Sequence, residues 1–352
     1  MRVDRLREDM AALQADAALI TAPENVAYYS GFTGVSSQLL VTPTEVLFFT
    51  DFRYVEQAQK ETDCDVVETQ GDTRIQVIFE QAKKRGVRRL GVDLSAVSYS
   101  AYRSYLKHIA PEDIADLSDA IMRQRSIKDE EELKLIAKGA EHNDRLFQHL
   151  CVLIKPGVTE YDIKAELVYY MHRHGAEVAF TPIVASGEHS SLPHATPTGR
   201  KIGPGDLLTL DYGCRFGGYC SDFTRTVAIS HMDKEQQKVY DIVNCAGEMA
   251  ISALRAGVSA KEVDAVARDY IASHGYGDYF GHGTGHSLGR AIHETPALNP
   301  RSDAVLEENM VVTIEPGIYL PGRFGVRIED LLVIKDGGCV NLTSATRDVV
   351  II

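Results

Sequence analysis

The chain has no apolar run near the roughly 18–20 residues that a membrane span needs; its longest are short stretches such as Val46 to Phe49 and Leu331 to Ile334. It also lacks an apolar signal-peptide core, because Arg2-Val3-Asp4-Arg5 leads into a charged amphipathic stretch. Six cysteines (Cys64, Cys151, Cys214, Cys220, Cys245, Cys339) form no CxxC pair and no metal-finger spacing. That pattern reads as reduced thiols in a cytoplasmic protein, with no membrane partner. Positive charge is scarce: 37 Lys and Arg stand against 50 Asp and Glu, a net charge of -13. Phosphate binding needs a basic face, so nucleic acid is excluded as a partner, and the acidity serves solubility. No GxSxG elbow appears, and Ser287 has no evident base–acid chain for a nucleophilic triad.

What remains is an ordinary globular composition, 44% hydrophobic and 25% charged. A chain of 352 residues exceeds one typical core and suits two domains. The first ~120 residues alternate short strands with helices. Ala17 to Ile20, Leu39 to Val41, Val46 to Phe49, Val66-Val67 and Leu90 to Val92 are strand-like; Asp72 to Lys84 and Ser98 to His108 read as helices. Thr42-Pro43-Thr44-Glu45 splits a hairpin. No catalytic constellation falls in this α/β region. The boundary lies near Arg123 to Asp129, giving domains 1–123 and 124–352. Asp129 with Glu132 is a capping pair opening a helix whose apolar stripe runs Leu133, Ile136, Ala140, Phe147, Cys151, Ile154.

The second domain is internally duplicated. Ile154-Lys155-Pro156-Gly157-Val158-Thr159 recurs as Leu254-Arg255-Ala256-Gly257-Val258-Ser259. In each copy a glycine ends one helix, and a Thr or Ser caps the next with an acid three residues on. Tyr170 matches Tyr270, and His174-Gly175 matches His274-Gly275. Leu207 to Gly213 aligns with Val311 to Gly317, setting Asp211 against Glu315. The pattern is an αα-then-ββ repeat.

Each repeat ends in a hairpin with an acid on both strands: Asp211 and Asp222 in the first, Glu315 and Glu329 in the second. At period two, Asp222, Thr224 and Thr226 share a face, as do Arg327 and Glu329. An acid within apolar strand is costly to bury unless it is paired or metal-bound, and duplication would bring the two pairs face to face. Two divalent cations would neutralise four carboxylates. A carboxylate set with one imidazole suits Mn²⁺, Co²⁺, Fe²⁺ or Zn²⁺, and two such ions would hold a hydroxide and polarise a carbonyl. The imidazole comes from Gly281-His282-Gly283-Thr284-Gly285-His286, where His286 is the better ligand and His282 lies nearby. The spacing there is wrong for a GxGxxG dinucleotide site. His194 and His293 stand in loops beside these acids and are candidates for function.

These residues resemble the motifs of the Xaa-Pro peptidases, meaning prolidase and aminopeptidase P. The likeness rests on Leu210 to Gly213, Ser221 to Thr226, Gly281 to His286, Ile314 to Tyr319 and Val326 to Asp330. Thr21 to Phe32 and Thr50 to Tyr54 are similar to that family's N-terminal domain, so the likeness covers nearly the whole chain. It implies an α/β (α+β) architecture, with a smaller creatinase-like α/β domain followed by a pseudo-twofold, duplicated pita-bread catalytic domain. It implies a homodimer with two divalent ions per chain, Mn²⁺ or Co²⁺ first and Zn²⁺ or Fe²⁺ after them. Asp211 would bind one metal and His286 the other, Asp222 and Glu329 would bind both, and Glu315 would be ligand and proton shuttle. His194 and His293 would contact substrate and stabilise the tetrahedral intermediate, with His282 and Arg327 orienting substrate or ligands. The implied reaction is attack by metal-bound hydroxide on the carbonyl before proline, in dipeptides or short proline-containing peptides. Some prolidases carry an arginine just after the His-Glu-x-Pro stretch that helps hold a dipeptide carboxylate; here it is Ala297, which leaves longer peptides open. The rivals are a non-proline hydrolase on the same fold and a catalytically silent pita-bread binding protein, and the complete ligand set counts against both.

Overall fold

The computed structural model describes residues 2–71 and 73–352. The chain divides into two compact units, one ending at Arg125 and one running from Ser126 to Ile352.

The first unit contains α1 (Arg2–Ala12), β1 (Ala17–Ile20), α2 (Pro23–Ser30), β2 (Ser37–Val41), β3 (Val46–Thr50), α3 (Val55–Glu61), β4 (Asp65–Glu68), α4 (Arg74–Lys84), β5 (Leu90–Val92), α5 (Tyr99–Tyr105), β6 (Ile114–Asp116) and α6 (Ser118–Ser126). The expected helix start at Asp72 lies outside the described residues. The six strands form one mixed sheet in the order β4-β3-β2-β1-β5-β6, with β1–β2 and β2–β3 antiparallel and the other pairs parallel. Period two sorts its side chains: Ala18, Ile20, Leu39 and Phe48 fill one core, while Ala17, Leu19, Leu40 and Phe49 fill another on the opposite face. A sheet covered on both faces reads as continuous apolar runs, which is why these strands were legible.

The second unit repeats a helical hairpin followed by strands. The first copy holds α7 (Glu130–Leu153), α8 (Glu160–Arg173), β7 (Glu177–Val178), β8 (Ile183–Ser186), β9 (Leu207–Tyr212), β10 (Cys214–Phe216), β11 (Tyr219–Cys220) and β12 (Phe223–Ala228). The second holds α9 (Lys234–Ala253), α10 (Ala260–Ser273), β13 (Gly285–Ser287), β14 (Glu294–Leu298), β15 (Val311–Ile314), β16 (Gly317–Leu320), β17 (Phe324–Arg327), β18 (Asp330–Lys335) and β19 (Gly338–Asn341). Asp129 and Glu132 form a reciprocal capping box on α7. The Thr159–Asp162 box opens α8, and Glu262 accepts the Ser259 N–H at the start of α10. Equivalent details recur in both copies. Gly157 and Gly257 adopt φ of 95° and 86°, and each donates its N–H to a loop carbonyl, Ile202 O and Leu306 O, one residue past an isolated β-bridge that the following cap residue makes. Tyr170 stacks on His174 as Tyr270 packs on His274.

The hairpin expectation needs one refinement. β15 and β18 pair up to Ile314 opposite Asp330, and β16 and β17 pair from Gly317 opposite Arg327. Between them the ladder breaks, and both acids sit in the break rather than on a strand face. The reason is a change of hydrogen-bond partner. Glu315 donates its N–H to Thr284 O at 2.7 Å, and Glu329 donates to Thr224 O at 3.1 Å. The second repeat thus leaves its own ladder to join the histidine loop and the first repeat where its acids stand.

Candidate metal centre

Asp211 lies in β9 opposite Thr224 of β12, and Asp222 immediately precedes that strand. Alternation turns Asp211 away from the helical layer, whereas its neighbours Leu210 and Tyr212 pack with α7 and α8 in one apolar cluster. Asp211, Asp222, His286, Glu315 and Glu329 all line one cavity of about 490 Å³, together with His194, His282, His293 and Arg327. Among the described residues, Asp222, His286 and Glu329 offer ligand-type atoms lying within 4.8 Å of one another. His286 Nε2 stands 3.5 Å from both Asp222 Oδ2 and Glu315 Oε1. Its ring meets that of His293 edge to face at 4.6 Å.

Electrostatics marks this cluster as short of positive charge. Burial pushes the Asp211 carboxyl up to about 6, against the pull of Arg327. Burial likewise raises Glu315 to about 7, and Glu329 goes far above the carboxylate range with Asp222 and Glu315 adding repulsion. Burial alone would lower His286, but the Asp222 hydrogen bond and the Glu315 charge outweigh it and lift it to about 9. Glu329 Oε2 accepts the Thr224 hydroxyl at 2.7 Å, whereas Oε1 is buried without a hydrogen-bond partner among the described residues. A buried carboxylate oxygen left unsatisfied is costly. Four acids, one imidazole and no thiolate make a donor set that fits divalent cations of the Mn²⁺, Co²⁺, Zn²⁺ and Fe²⁺ type. Cation binding would remove the repulsion and satisfy the open oxygen together.

Arg327 is 3% exposed and binds several groups at once. Its Nη2 donates to Asp211 Oδ2, and its Nη1 donates to Tyr319 OH at 2.7 Å. Tyr319 continues the chain to His282 Nε2 at 2.9 Å. His282 Nδ1 faces Gly283 O at 2.8 Å, and a carbonyl only accepts, so Nδ1 carries the proton and Nε2 accepts from the tyrosine. Burial and the nearby Arg327 charge push His282 down to about 4, consistent with that neutral tautomer. Sequence reasoning missed Tyr319 as a site residue. The signal was available: Gly317 opposes Arg327 across the β16–β17 pair, and alternation returns Tyr319 to that face. Thr224 and the cavity-wall residues Phe180 and Asn299 were missed as well. Thr224 had been placed on the face of Asp222 without a role, so its signal was there, whereas the sequence around Phe180 carries no marker of the site.

The model of the Creatinase/Prolidase N-terminal domain matches residues 2–127, and that of metallopeptidase family M24 matches residues 134–336. An Xaa-Pro dipeptidase of Pyrococcus furiosus is 34% identical over 350 residues, 99% of each chain. The structure of an Xaa-Pro dipeptidase from Bacillus anthracis superposes with a TM-score of 0.95 at 38% identity, covering 100% of this chain and 99% of that one. That of an X-Pro aminopeptidase from Thermotoga maritima gives 0.92 at 37%, with full coverage of both. The chain belongs to metallopeptidase family M24, among the pita-bread peptidases of the prolidase and aminopeptidase P kind, and it is a peptidase.

Proposed function

We propose that this peptidase cleaves the bond between an N-terminal residue and proline, using two divalent cations held by Asp211, Asp222, His286, Glu315 and Glu329. The observation that carries the reading is the convergence of four carboxylates and one imidazole on a cavity where Glu329 Oε1 has no hydrogen-bond partner among the described residues. The dipeptidase and aminopeptidase relatives support the proline preference.

Bound cations would supply Lewis acidity, activating water and polarising the scissile carbonyl. The chain's own residues do the rest. Glu315 Oε1 is engaged by Thr313 Oγ1 at 3.3 Å and by His286 at 3.5 Å. That leaves Oε2 to take a proton from the attacking water and return it to the prolyl nitrogen. An amide nitrogen must be protonated to depart, so this transfer belongs to bond cleavage. His293, lowered chiefly by burial, can donate an N–H to the developing oxyanion, with His194 beside it. The imide nitrogen before cleavage offers no N–H to recognise, so the pyrrolidine ring must be read by packing. Phe180, Pro193 and Ile292 supply an apolar wall for it.

Ala297 lines the same cavity. A methyl there offers no cation to a dipeptide carboxylate and leaves room for a following residue, which favours Xaa-Pro-Yaa peptides alongside Xaa-Pro. The test compares a dipeptide with the matching tripeptide under Mn²⁺ and Co²⁺, with metal analysis on the same sample. About two ions per chain and cleavage before proline are expected. Asp211→Ala and Glu315→Ala should abolish hydrolysis, and near-normal turnover by either metal-loaded variant would sink the assignment.

A further inference from the structure

His194 sits on a segment with little regular structure of its own. After β8 ends at Ser186, one 3₁₀ turn spans Gly187–Ser191, and the next strand begins only at Leu207. Such a segment needs an external anchor to hold a side chain in register with a reacting group. Glu160, the first residue of α8, is 0% exposed and lies outside the cavity lining. Its Oε1 accepts the Ser186 N–H and hydroxyl, both at 2.8 Å. Its Oε2 accepts the Thr198 N–H at 2.9 Å and the Thr198 hydroxyl at 2.7 Å. One carboxylate therefore ties together both ends of the stretch that carries His194. His189 Nδ1 adds a contact at 3.1 Å from within that stretch.

The far side of the segment is fixed by the hairpin that bears Arg327. The Gly325 N–H donates to Ser190 Oγ at 2.9 Å, and Arg327 Nη1 donates to Pro193 O at 3.4 Å. A side chain at Gly325 would meet Ser190 O at 2.2 Å, so this approach requires glycine. With the tip held by the hairpin and the ends held by one carboxylate, little freedom is left to the backbone on either side of His194. A carboxylate is the group suited to this task, because it offers acceptors only, and all four donors from Ser186 and Thr198 need acceptors.

We propose that Glu160 is a positioning residue for catalysis: by clasping Ser186 and Thr198 it sets the loop that presents His194 to the substrate. The inference rests on the reading of His194 as a substrate contact. Glu160 touches neither substrate nor metal and acts only through that loop.

A double-mutant cycle tests it, with kcat and KM for an Xaa-Pro peptide measured on wild type, Glu160→Gln, His194→Ala and the double variant, all Mn²⁺-loaded. Glu160→Gln replaces an acceptor with an amide NH₂ that opposes existing donors. It should lower kcat/KM about ten- to a hundredfold while metal content stays at the wild-type value. In the His194→Ala background the same change should cost less than about twofold, because the positioned group is gone. A general structural defect would lower both backgrounds alike, so full additivity overturns the proposal, as does unchanged kinetics in Glu160→Gln. Should Glu160→Gln fail to fold, Thr198→Val, which removes one hydroxyl and keeps the backbone bond, must show a smaller loss with the same coupling. Absence of coupling there overturns the proposal equally. Normal turnover by His194→Ala removes the client of Glu160 and overturns the inference while leaving Xaa-Pro hydrolysis intact. Failure of wild type to cleave any Xaa-Pro peptide is the distinct result that overturns the function itself.

Discussion

Thr224 donates its hydroxyl to Glu329 Oε2 at 2.7 Å, and Glu329 returns its backbone N–H to Thr224 O at 3.1 Å. This reciprocal pair joins the last strand of the first repeat to the second acid of the second repeat's pair. Both residues are buried, so the bond has no competition from water. It holds the carboxylate by one oxygen and, in the proposed metal centre, would leave the other for a cation, so that the two repeats would depend on each other there.

Removing that hydroxyl should loosen the centre. Thr224→Val keeps the shape and deletes the donor, leaving a second acidic oxygen unsatisfied at a cost of about 1–3 kcal/mol in the metal-free protein. Metal affinity should fall by about 10–100-fold, measured by ion content after dialysis against a graded chelator. Wild-type retention would show that the bond does not orient Glu329.

Close packing around His286 gives a second expectation. A Cβ at Gly285 would lie 1.9 Å from Thr313 O, a backbone atom that cannot swing aside. The same Thr313 supplies Oγ1 to the His286 N–H at 3.0 Å. Gly285→Ala should therefore cost at least about 1–3 kcal/mol by overpacking and depress activity by displacing the imidazole. Gly337→Ala, where nothing lies within 4 Å, should stay within about 0.5 kcal/mol of wild type. Urea denaturation of the pair checks both.

Substrate length should respond to position 297. Ala297→Arg would bring a guanidinium to the cavity wall, where a dipeptide's C-terminal carboxylate can meet it. A charge-assisted hydrogen bond of about 1.5–3 kcal/mol predicts a shift in the ratio of dipeptide to tripeptide kcat/KM of roughly tenfold or more toward the dipeptide. An unmoved ratio would mean that the carboxylate lies elsewhere.

The Glu160 clasp also predicts a pH dependence. A glutamate ordinarily titrates near 4.5; burial pushes Glu160 up, but the donors of Thr198 and Ser186 outweigh it and the folded value is lowered. The unfolded chain then binds the proton more readily, so the stabilisation is complete above about 4.5 and is lost as pH falls through the folded value. The stability gap between wild type and Glu160→Gln should be widest near neutral pH and shrink below about pH 4. A gap of constant size across that range would show that charge is not what the clasp uses.

The features legible in the sequence were local or repeated. Strands such as Ala17–Ile20 and Leu90–Val92 appear at the bounds read from their apolar runs, because burial on both faces leaves no polar interruption. The caps at Asp129 and Thr159 were readable because each box closes over only four residues, 129–132 and 159–162. The four acids stood out through duplication, since two weak signals in the same order reinforce each other. β6 and the short helices α2 and α3 are only 3, 8 and 7 residues long, too short to show a clear period.

By itself, then, the sequence determined the two-part α/β plan, the repeat and the chemical inventory of acids and histidines. Those follow from residue type and near-neighbour spacing. Only the tertiary structure decided that Glu315 and Glu329 leave their strands to pair with Thr284 and Thr224, and that Arg327 reaches Asp211 through a fork shared with Tyr319. It alone revealed that Glu160 clasps the His194 loop. These are single polar bonds between residues far apart in the chain, and they have no periodicity. Their geometry exists only after the chain has packed and excluded the water that would otherwise satisfy the same groups.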